Sequence, residues 1–226
     1  GNHALHFDGS NDRVVIQNSK SIAFEEQFSL ALKLRTGQNS NAVMKVFEQN
    51  KSALSINASG RAEVILHTFD HQKAGDTGIS SLAILSTTII NDSRWHTIIV
   101  TYDGSVIILY IDGVLENIAF HKGTLGDAQA NRMITIGFPQ ELNGQGFKGS
   151  IDRLGIWNRT LNESEIFQLR QEDFTIIQEG LSAFFEFNDA FGSIAKDASV
   201  NKNDAVLGET NIADEKDPVW IIVSNR

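Results

Sequence analysis

Apolar and polar residues alternate with a period of two along much of the chain. In residues 28–35 every even-numbered residue is apolar, and every odd-numbered one is small or charged. Because successive side chains of a strand point to opposite faces, this pattern predicts a strand with one face on the core. Residues 62–66 repeat the pattern less regularly, since Ile65 adds an apolar side chain to the second face.

Two Asp-Gly pairs, at 103–104 and 112–113, divide residues 95–120 into three apolar segments. Asp and Gly tolerate the positive φ angles of tight hairpin turns, so this region is predicted to form three consecutive antiparallel strands. Residues 106–111 are apolar on both faces, which favours a central strand covered on both sides.

One helix interrupts the strands. Asn162 is followed three residues later by Glu165, which is the pattern of a capping box, and residues 163–170 continue with helical spacing of Ile166 and Leu169. Residues 133–138 and 149–157 have the pattern of further strands. One short helix among about ten strands predicts an all-β sandwich or barrel.

Composition narrows the classes of function. The chain has 226 residues, of which 41% are hydrophobic and 21% charged, so it can fill one large core. The lack of cysteine excludes disulfides, thiol catalysis and thiolate metal sites. A net charge of −9 argues against a nucleic acid partner. Apolar runs such as 106–111 are too short to insert into a membrane.

Five segments resemble, in family order, the sequence motifs of laminin-G-like domains. They are residues 4–16, 28–34, 95–104, 109–113 and 147–161. The resemblance implies an antiparallel jelly-roll sandwich of two sheets, of the concanavalin A-like type, with one short helix. It implies less about function, because this fold occurs in lectins, adhesins, glycosidases and spacers.

The C-terminal part of the chain departs from the family order. Residues 181–189 and 196–205 resemble the hairpin that normally precedes the first family strand, so the order is rotated. We expect residues 1–178 to form the laminin-G-like jelly roll, and residues 179–226 to pack on it and complete the same sandwich. A second repeat or an appendage is the alternative. A similar tail follows such domains in surface proteins of gut Bacteroidetes.

Calcium is the metal that the resemblance implies. Relatives hold it with Asp side chains and backbone carbonyls, because calcium prefers six to eight hard oxygen ligands. The resemblance points to Asp8 and Asp152 as ligands. Alternatively, Asp8 caps its own turn and Asp152 hydrogen-bonds a neighbouring strand. Residues 197–204, rich in Asp and Asn, are either a second calcium candidate or an ordinary polar hairpin.

Two loops at the rim of the predicted sandwich contain residue types suited to binding a sugar. The candidates are an aromatic ring with carboxylates, imidazoles and amides nearby, namely His67, Phe69, Asp70, His71 and Asp76 in loop 67–78, and Gln140 and Asn143 in loop 139–147. A solvated loop without a ligand is the alternative for both. The three tryptophans are predicted to pack in or against the core instead.

The sequence offers little for catalysis. Glycosidases of this fold carry carboxylates on alternate residues of one strand, whereas Glu48, Glu63 and Glu116 belong to different segments. We therefore expect a non-catalytic carbohydrate-binding or adhesion module of a secreted or cell-surface protein, monomeric, with a glycan or a surface protein as partner. A structural spacer without ligand and a glycoside hydrolase are the alternatives.

Overall fold

The computed structural model describes residues 2–17, 20–22, 24, 26–38, 44–49, 51–69, 79–125, 133–139, 145–171, 173–210 and 212–224. Over these residues the chain forms two stacked, almost entirely antiparallel sheets and a single α-helix. The prediction of an all-β jelly-roll sandwich with one short helix is confirmed.

Strands follow one another along the chain, interrupted by a 3-10 turn and by the helix. In chain order the elements are β1 (His3–Asp8), β2 (Val14–Ile16), a 3-10 turn (Lys20–Ile22), β3 (Phe28–Arg35), β4 (Met44–Gln49), β5 (Ser52–Ile56), β6 (Arg61–Phe69), β7 (Ile79–Ile89), β8 (Trp95–Tyr102), β9 (Val106–Ile111), β10 (Val114–Phe120), β11 (Ile134–Ile136), β12 (Gln145–Gly146), β13 (Lys148–Trp157), α1 (Glu163–Arg170), β14 (Leu181–Phe185), β15 (Ile194–Ala195), β16 (Ala205–Leu207) and β17 (Val219–Ile222). In the described part of the chain, no helix is long and apolar enough to cross a membrane.

Sheet A has the strand order β10-β9-β8-β3-β13-β1-β17, with β14 also paired to β13. Sheet B has the order β15-β16-β2-β11-β4-β5-β6-β7, with β12 beside β4. Two strands pair with the same edge of the long strand β13. Strand β1 pairs with its residues 148–151, and β14 pairs with its residues 154–157.

The C-terminal segment contributes strands to both sheets. In sheet A, β14 pairs with β13 and β17 pairs with β1, whereas in sheet B β16 pairs with β2. Phe185, Phe187 and Leu207 from this segment belong to the main core between the sheets. The first and last parts of the chain are therefore joined by backbone pairing as well as by side-chain packing.

A second apolar cluster lies on the outer face of sheet A, beneath α1. Trp157 is fully buried there with Leu169 and Phe174, and its indole Nε1 donates a hydrogen bond to the carbonyl oxygen of Ile177 over 2.9 Å. The predicted capping box of Asn162 and Glu165 forms at the start of α1. This cluster also covers Ala31, so β3 is buried on both faces, although its alternation predicted only one buried face.

Strands β8, β9 and β10 form the predicted succession of hairpins. Gly104 and both residues of the Asp112-Gly113 turn have positive φ angles, as tight turns require. The structure corrects the prediction for β9, however, because this strand lies next to the edge strand β10 and its Val106, Ile108 and Tyr110 are only half-buried.

His96, in β8, has a carboxylate at each ring nitrogen. Its Nδ1 lies 2.8 Å from Asp112 Oδ2, and its Nε2 lies 3.0 Å from Asp92 Oδ1. The hydrogen bond to Asp112 raises the pKa of His96 above its ordinary value of 6.5; burial opposes this, and the bond to Asp92 adds to it.

We expect His96→Gln to lower the free energy of unfolding by about 1–3 kcal/mol at pH 6 and by less at pH 9. Because the folded-state pKa is raised, the contribution of the charged imidazole is complete below pH 6.5 and is lost as the pH rises through the folded-state pKa. Urea unfolding across this pH range measures the difference, with Lys122→Gln as a charge-changing control at an exposed position outside this cluster. A cost of His96→Gln that does not change with pH would contradict the assignment.

Candidate functional site

A groove of about 390 Å³ lies on the outer face of sheet A. Strand register places His6 of β1, Ser150 of β13 and Arg35 of β3 side by side in one row across it. Because adjacent strands lie about 4.8 Å apart, the Cα atoms of His6 and Arg35 are about 10 Å apart. The remaining walls are formed by residues 36–38 and 148–149, Ser93 and Ile221.

Arg35 is held in the groove by an aromatic ring. Its guanidinium carbon lies 4.9 Å from the centroid of Trp95, the residue directly opposite it on β8. A cation–π contact of this kind restricts a side chain that otherwise has many rotamers. The ammonium of Lys33 also lies over this ring, at 5.8 Å. Trp95, predicted to pack against the core, is therefore half-buried on the outer face of the sheet.

The positive charge of the groove comes from Arg35 and Lys148. Among the described residues, neither side chain forms an ion pair with a carboxylate. Burial lowers the pKa of His6, and the charges of Arg35 and Lys148 lower it further against the opposing effect of Asp8. His6 is thus mainly neutral at pH 7 and can donate or accept hydrogen bonds.

The backbone around the groove is tied together by short hydrogen bonds. Thr36 Oγ1 donates to the carbonyl oxygen of Lys148 over 2.6 Å, and Ser93 N donates to the carbonyl oxygen of Thr36 over 2.9 Å. A Cβ atom on Gly37 would lie 2.1 Å from Ser93 Oγ, so a larger residue at this position would require the Ser93 hydroxyl to rotate away. The groove therefore presents hydroxyl, amide, imidazole and cationic groups on a firmly connected frame.

The predicted rim residues His67 and Phe69 lie two residues apart near the end of β6, both half-buried on the outer face of sheet B. The backbone of Phe69 pairs with Thr124, with N–O distances of 2.8 and 3.1 Å. Burial lowers the pKa of His67, and Lys51 and Lys45 lower it further. The other rim candidates, Asp70, His71, Asp76, Gln140 and Asn143, lie outside the described residues. A ligand site at this rim stays a prediction.

The two predicted calcium ligands are placed apart. Asp8 pairs with Lys148 on β13, four residues before Asp152, which corresponds to about 13 Å along the strand. Asp8 Oδ1 accepts a hydrogen bond from Ser10 N over 2.7 Å, as in an Asx turn. Asp152 is fully buried, with Lys33 Nζ at 3.9 Å and Arg153 Nε at 3.8 Å. The two carboxylates do not fit one shared calcium site, and binding at either one stays a prediction.

The Asp-rich hairpin 197–204 is built around a buried carboxylate. Asp197 accepts hydrogen bonds from Phe184 N, Ser199 N, Ser199 Oγ and Asn203 N over 2.7–2.9 Å. These bonds satisfy the carboxylate and connect β14 to the hairpin. Among the described residues, no group of three or more His, Cys, Asp or Glu side chains is arranged to hold a metal ion.

The three glutamates considered for catalysis lie on separate strands. Glu116 accepts hydrogen bonds from both the backbone nitrogen and the hydroxyl of Thr87 and of Thr88, which ties edge strand β10 to edge strand β7. Glu48 and Glu63 lie two strands apart in sheet B and two residues out of register, so their Cα atoms are about 12 Å apart.

Sequence reasoning did not identify His6, Arg35, Lys148 or Ser150. Each occupies an outward-facing position of a strand, where a polar residue is the ordinary expectation. The one signal in the sequence was the pair of cations at Lys33 and Arg35, on the face of β3 opposite the core. The pattern of a single strand does not reveal which distant strands bring partners to that face.

The fold places the chain among the concanavalin A-like β-sandwiches. The family model of Laminin_G_3, described as the concanavalin A-like lectin/glucanases superfamily, matches residues 8–167, and the chain belongs to this family. The resemblance seen in the sequence is thereby confirmed. No curated protein matches the sequence.

Several solved structures share the fold at low sequence identity. A proposed carbohydrate-binding protein from Bacteroides ovatus has a TM-score of 0.72 at 16% identity, over 99% of this chain and 60% of that one. Domains LG4-5 of the mouse laminin alpha1 chain have a TM-score of 0.52 at 15% identity, over 73% of this chain and 44% of that one. The CBM40 module of a Ruminococcus gnavus sialidase, bound to α2,3-sialyllactose, has a TM-score of 0.57 at 15% identity, over 74% of this chain and 96% of that one. This chain spans less than two thirds of the length of the Bacteroides ovatus and mouse laminin chains.

Proposed function

We propose that this chain is a non-catalytic carbohydrate-binding module whose ligand lies in the groove of sheet A. The groove itself carries the proposal, because a cavity of about 390 Å³ is lined mainly by hydrogen-bonding side chains. Its size falls in the range of small-molecule sites, and convergent polar groups on a rigid frame suit the hydroxyl groups of a sugar. The Bacteroides ovatus and Ruminococcus gnavus structures, whose fold this chain shares, support the same class of ligand.

As such a module, the chain would belong to a secreted or cell-surface protein and would act as a monomeric unit. Its partner would be a polysaccharide or a glycan carried by a surface protein. The wide separation of Glu48 and Glu63 and the engagement of Glu116 with β7 favour binding over hydrolysis.

The rim around His67 and Phe69 is the second candidate location for the ligand. An aromatic ring two residues from an imidazole, both half-exposed on one face of sheet B, suits contact with a sugar. This location and the groove lie on different sheets, so single substitutions can distinguish them.

We expect a panel of soluble polysaccharides to include a ligand with a dissociation constant in the micromolar to millimolar range, measured by isothermal titration calorimetry. His6→Ala should weaken binding at least tenfold, since it removes a hydrogen-bonding ring from the groove floor. Phe69→Ala should leave the affinity within about twofold. Loss of binding in Phe69→Ala alone would move the site to the rim. No binding by the unmodified chain at millimolar ligand would favour a structural spacer.

A further inference from the structure

The groove of sheet A differs in charge from the chain that contains it. The chain carries 28 Asp and Glu against 19 Lys and Arg, a net charge of −9. The described residues that line the groove nevertheless include Arg35 and Lys148, and none of these described lining residues carries a carboxylate. The described lining of the groove is therefore cationic on a protein that is acidic as a whole.

Among the described residues, neither of these two cations forms an ion pair with a carboxylate, although Asp8 lies opposite Lys148 where β1 pairs with β13. The guanidinium of Arg35 lies over the ring of Trp95. Lys148 lines the groove from the first residue of β13. The nearest acid to His6, Asp8, is exposed at the end of β1 and hydrogen-bonded within its own turn. A guanidinium fixed in this way presents its fork of N–H donors to an incoming oxyanion.

We infer that the groove selects an anionic sugar, one that bears a carboxylate or a sulfate ester, with Arg35 and Lys148 binding the anion. This inference rests on the proposed function and adds the chemical class of the ligand to it. His6 and Ser150, which are 3.1 Å apart on the groove floor, would then bind neighbouring hydroxyl groups. Recognition of charge by two cations also makes the affinity depend on ionic strength.

The test compares polymers that differ only in charge. Polygalacturonate is paired with its neutral methyl ester, which isolates the carboxylate, and dextran sulfate is paired with dextran, which isolates the sulfate. The full chain should bind at least one anionic member at least tenfold more tightly than its neutral counterpart, and the affinity should fall as salt rises from about 50 to about 300 mM.

Variants then locate the effect. Arg35→Gln and Lys148→Gln should each weaken binding of the anionic polymer about tenfold or more, and Arg35→Lys should keep part of it because the charge remains. Lys20→Gln, which removes an exposed cation on the 3-10 turn away from the groove, is the matched control and should have little effect. Circular dichroism and melting of each variant check that the fold is kept, and the exposed Lys148 keeps the test valid if Arg35→Gln does not fold.

The outcomes separate the inference from the proposed function. Equal binding of a neutral polymer that is unaffected by Arg35→Gln and Lys148→Gln but lost in His6→Ala overturns the inference and leaves the proposed function standing. Binding of anionic polymers that none of the groove variants reduces, or equally tight binding of polyglutamate or DNA, overturns the inference as non-specific charge attraction. No binding to any polysaccharide overturns both.

Discussion

Removal of residues 179–226 is expected to abolish cooperative folding of the remaining chain. This segment supplies β14 and β17 to sheet A and β15 and β16 to sheet B. Its buried apolar side chains include Leu181, Phe184, Phe185, Phe187 and Leu207. At about 1.5–3 kcal/mol for each buried side chain, their loss amounts to about 10 kcal/mol, which is comparable to the whole stability of a typical domain.

Circular dichroism and urea unfolding of a chain that ends at residue 178 measure this effect. We expect a broad transition, or none, where the full chain gives one sharp transition. Val200→Ala and Ile212→Ala serve as controls within the same segment, because both side chains are largely exposed and should change stability by less than about 0.5 kcal/mol. A truncated chain with a sharp transition and a native-like spectrum would show that residues 1–178 fold independently and that the tail is an appendage.

The elements that the sequence predicted well are those that depend on local chemistry. The alternation in residues 28–35, the Asp112-Gly113 turn and the capping box of Asn162 each act over a few residues, and the structure contains all three. The burial of the strands was harder to predict. The second face of β3 looked solvated from its pattern because the residues that cover it, such as Phe174, lie about 140 positions further along the chain.

The groove depends almost entirely on non-local pairing. His6, Arg35 and Ser150 meet because β1 and β3 flank the first half of β13 in a fixed register. A shift of one residue in either pairing would turn a row of side chains to the opposite face. No single segment contains enough information to predict such a row, whereas a loop rich in aromatic and acidic residues, such as 67–78, is conspicuous within one segment. Sequence reasoning therefore favoured the rim over the sheet.

Asp152 illustrates the same difficulty in a single residue. In the sequence it lies in a family motif, and the resemblance suggested a metal ligand. In the structure it is the extra residue of a bulge in β13, between Ile151, which pairs with Leu34, and Arg153, which pairs with Lys33. The bulge places its carboxylate beside two cations, with Lys33 Nζ at 3.9 Å and Arg153 Nε at 3.8 Å. Lys33 in turn contacts Trp95, so Asp152 is connected through Lys33 to the ring that holds Arg35.

Asp152→Ala is expected to lower the free energy of unfolding by about 3–5 kcal/mol, because it leaves the ammonium of Lys33 in the interior without this carboxylate. Both side chains are almost completely buried, with exposed fractions of 0% and 1%. The substitution removes less stabilisation from Arg153 than from Lys33, because the guanidinium of Arg153 also lies over the ring of Phe174, 5.9 Å from its centroid. Lys33→Met combined with Asp152→Leu should recover most of the lost stability, because apolar side chains of similar volume avoid the cost of desolvating the charges.

Urea unfolding of Lys33→Met, of Asp152→Leu and of the double variant gives the coupling energy between Lys33 and Asp152. Repeating the measurement on Asp152→Ala with calcium and with a chelator separates the two roles of the carboxylate. An ion-pair role gives the same loss in both solutions, since neither cation depends on a metal. A loss that appears only with calcium present would make Asp152 a ligand, because a metal that binds only the native state stabilises it by an amount that grows with the logarithm of the free metal concentration above the dissociation constant. The pairing with Lys33 would then describe only the metal-free protein.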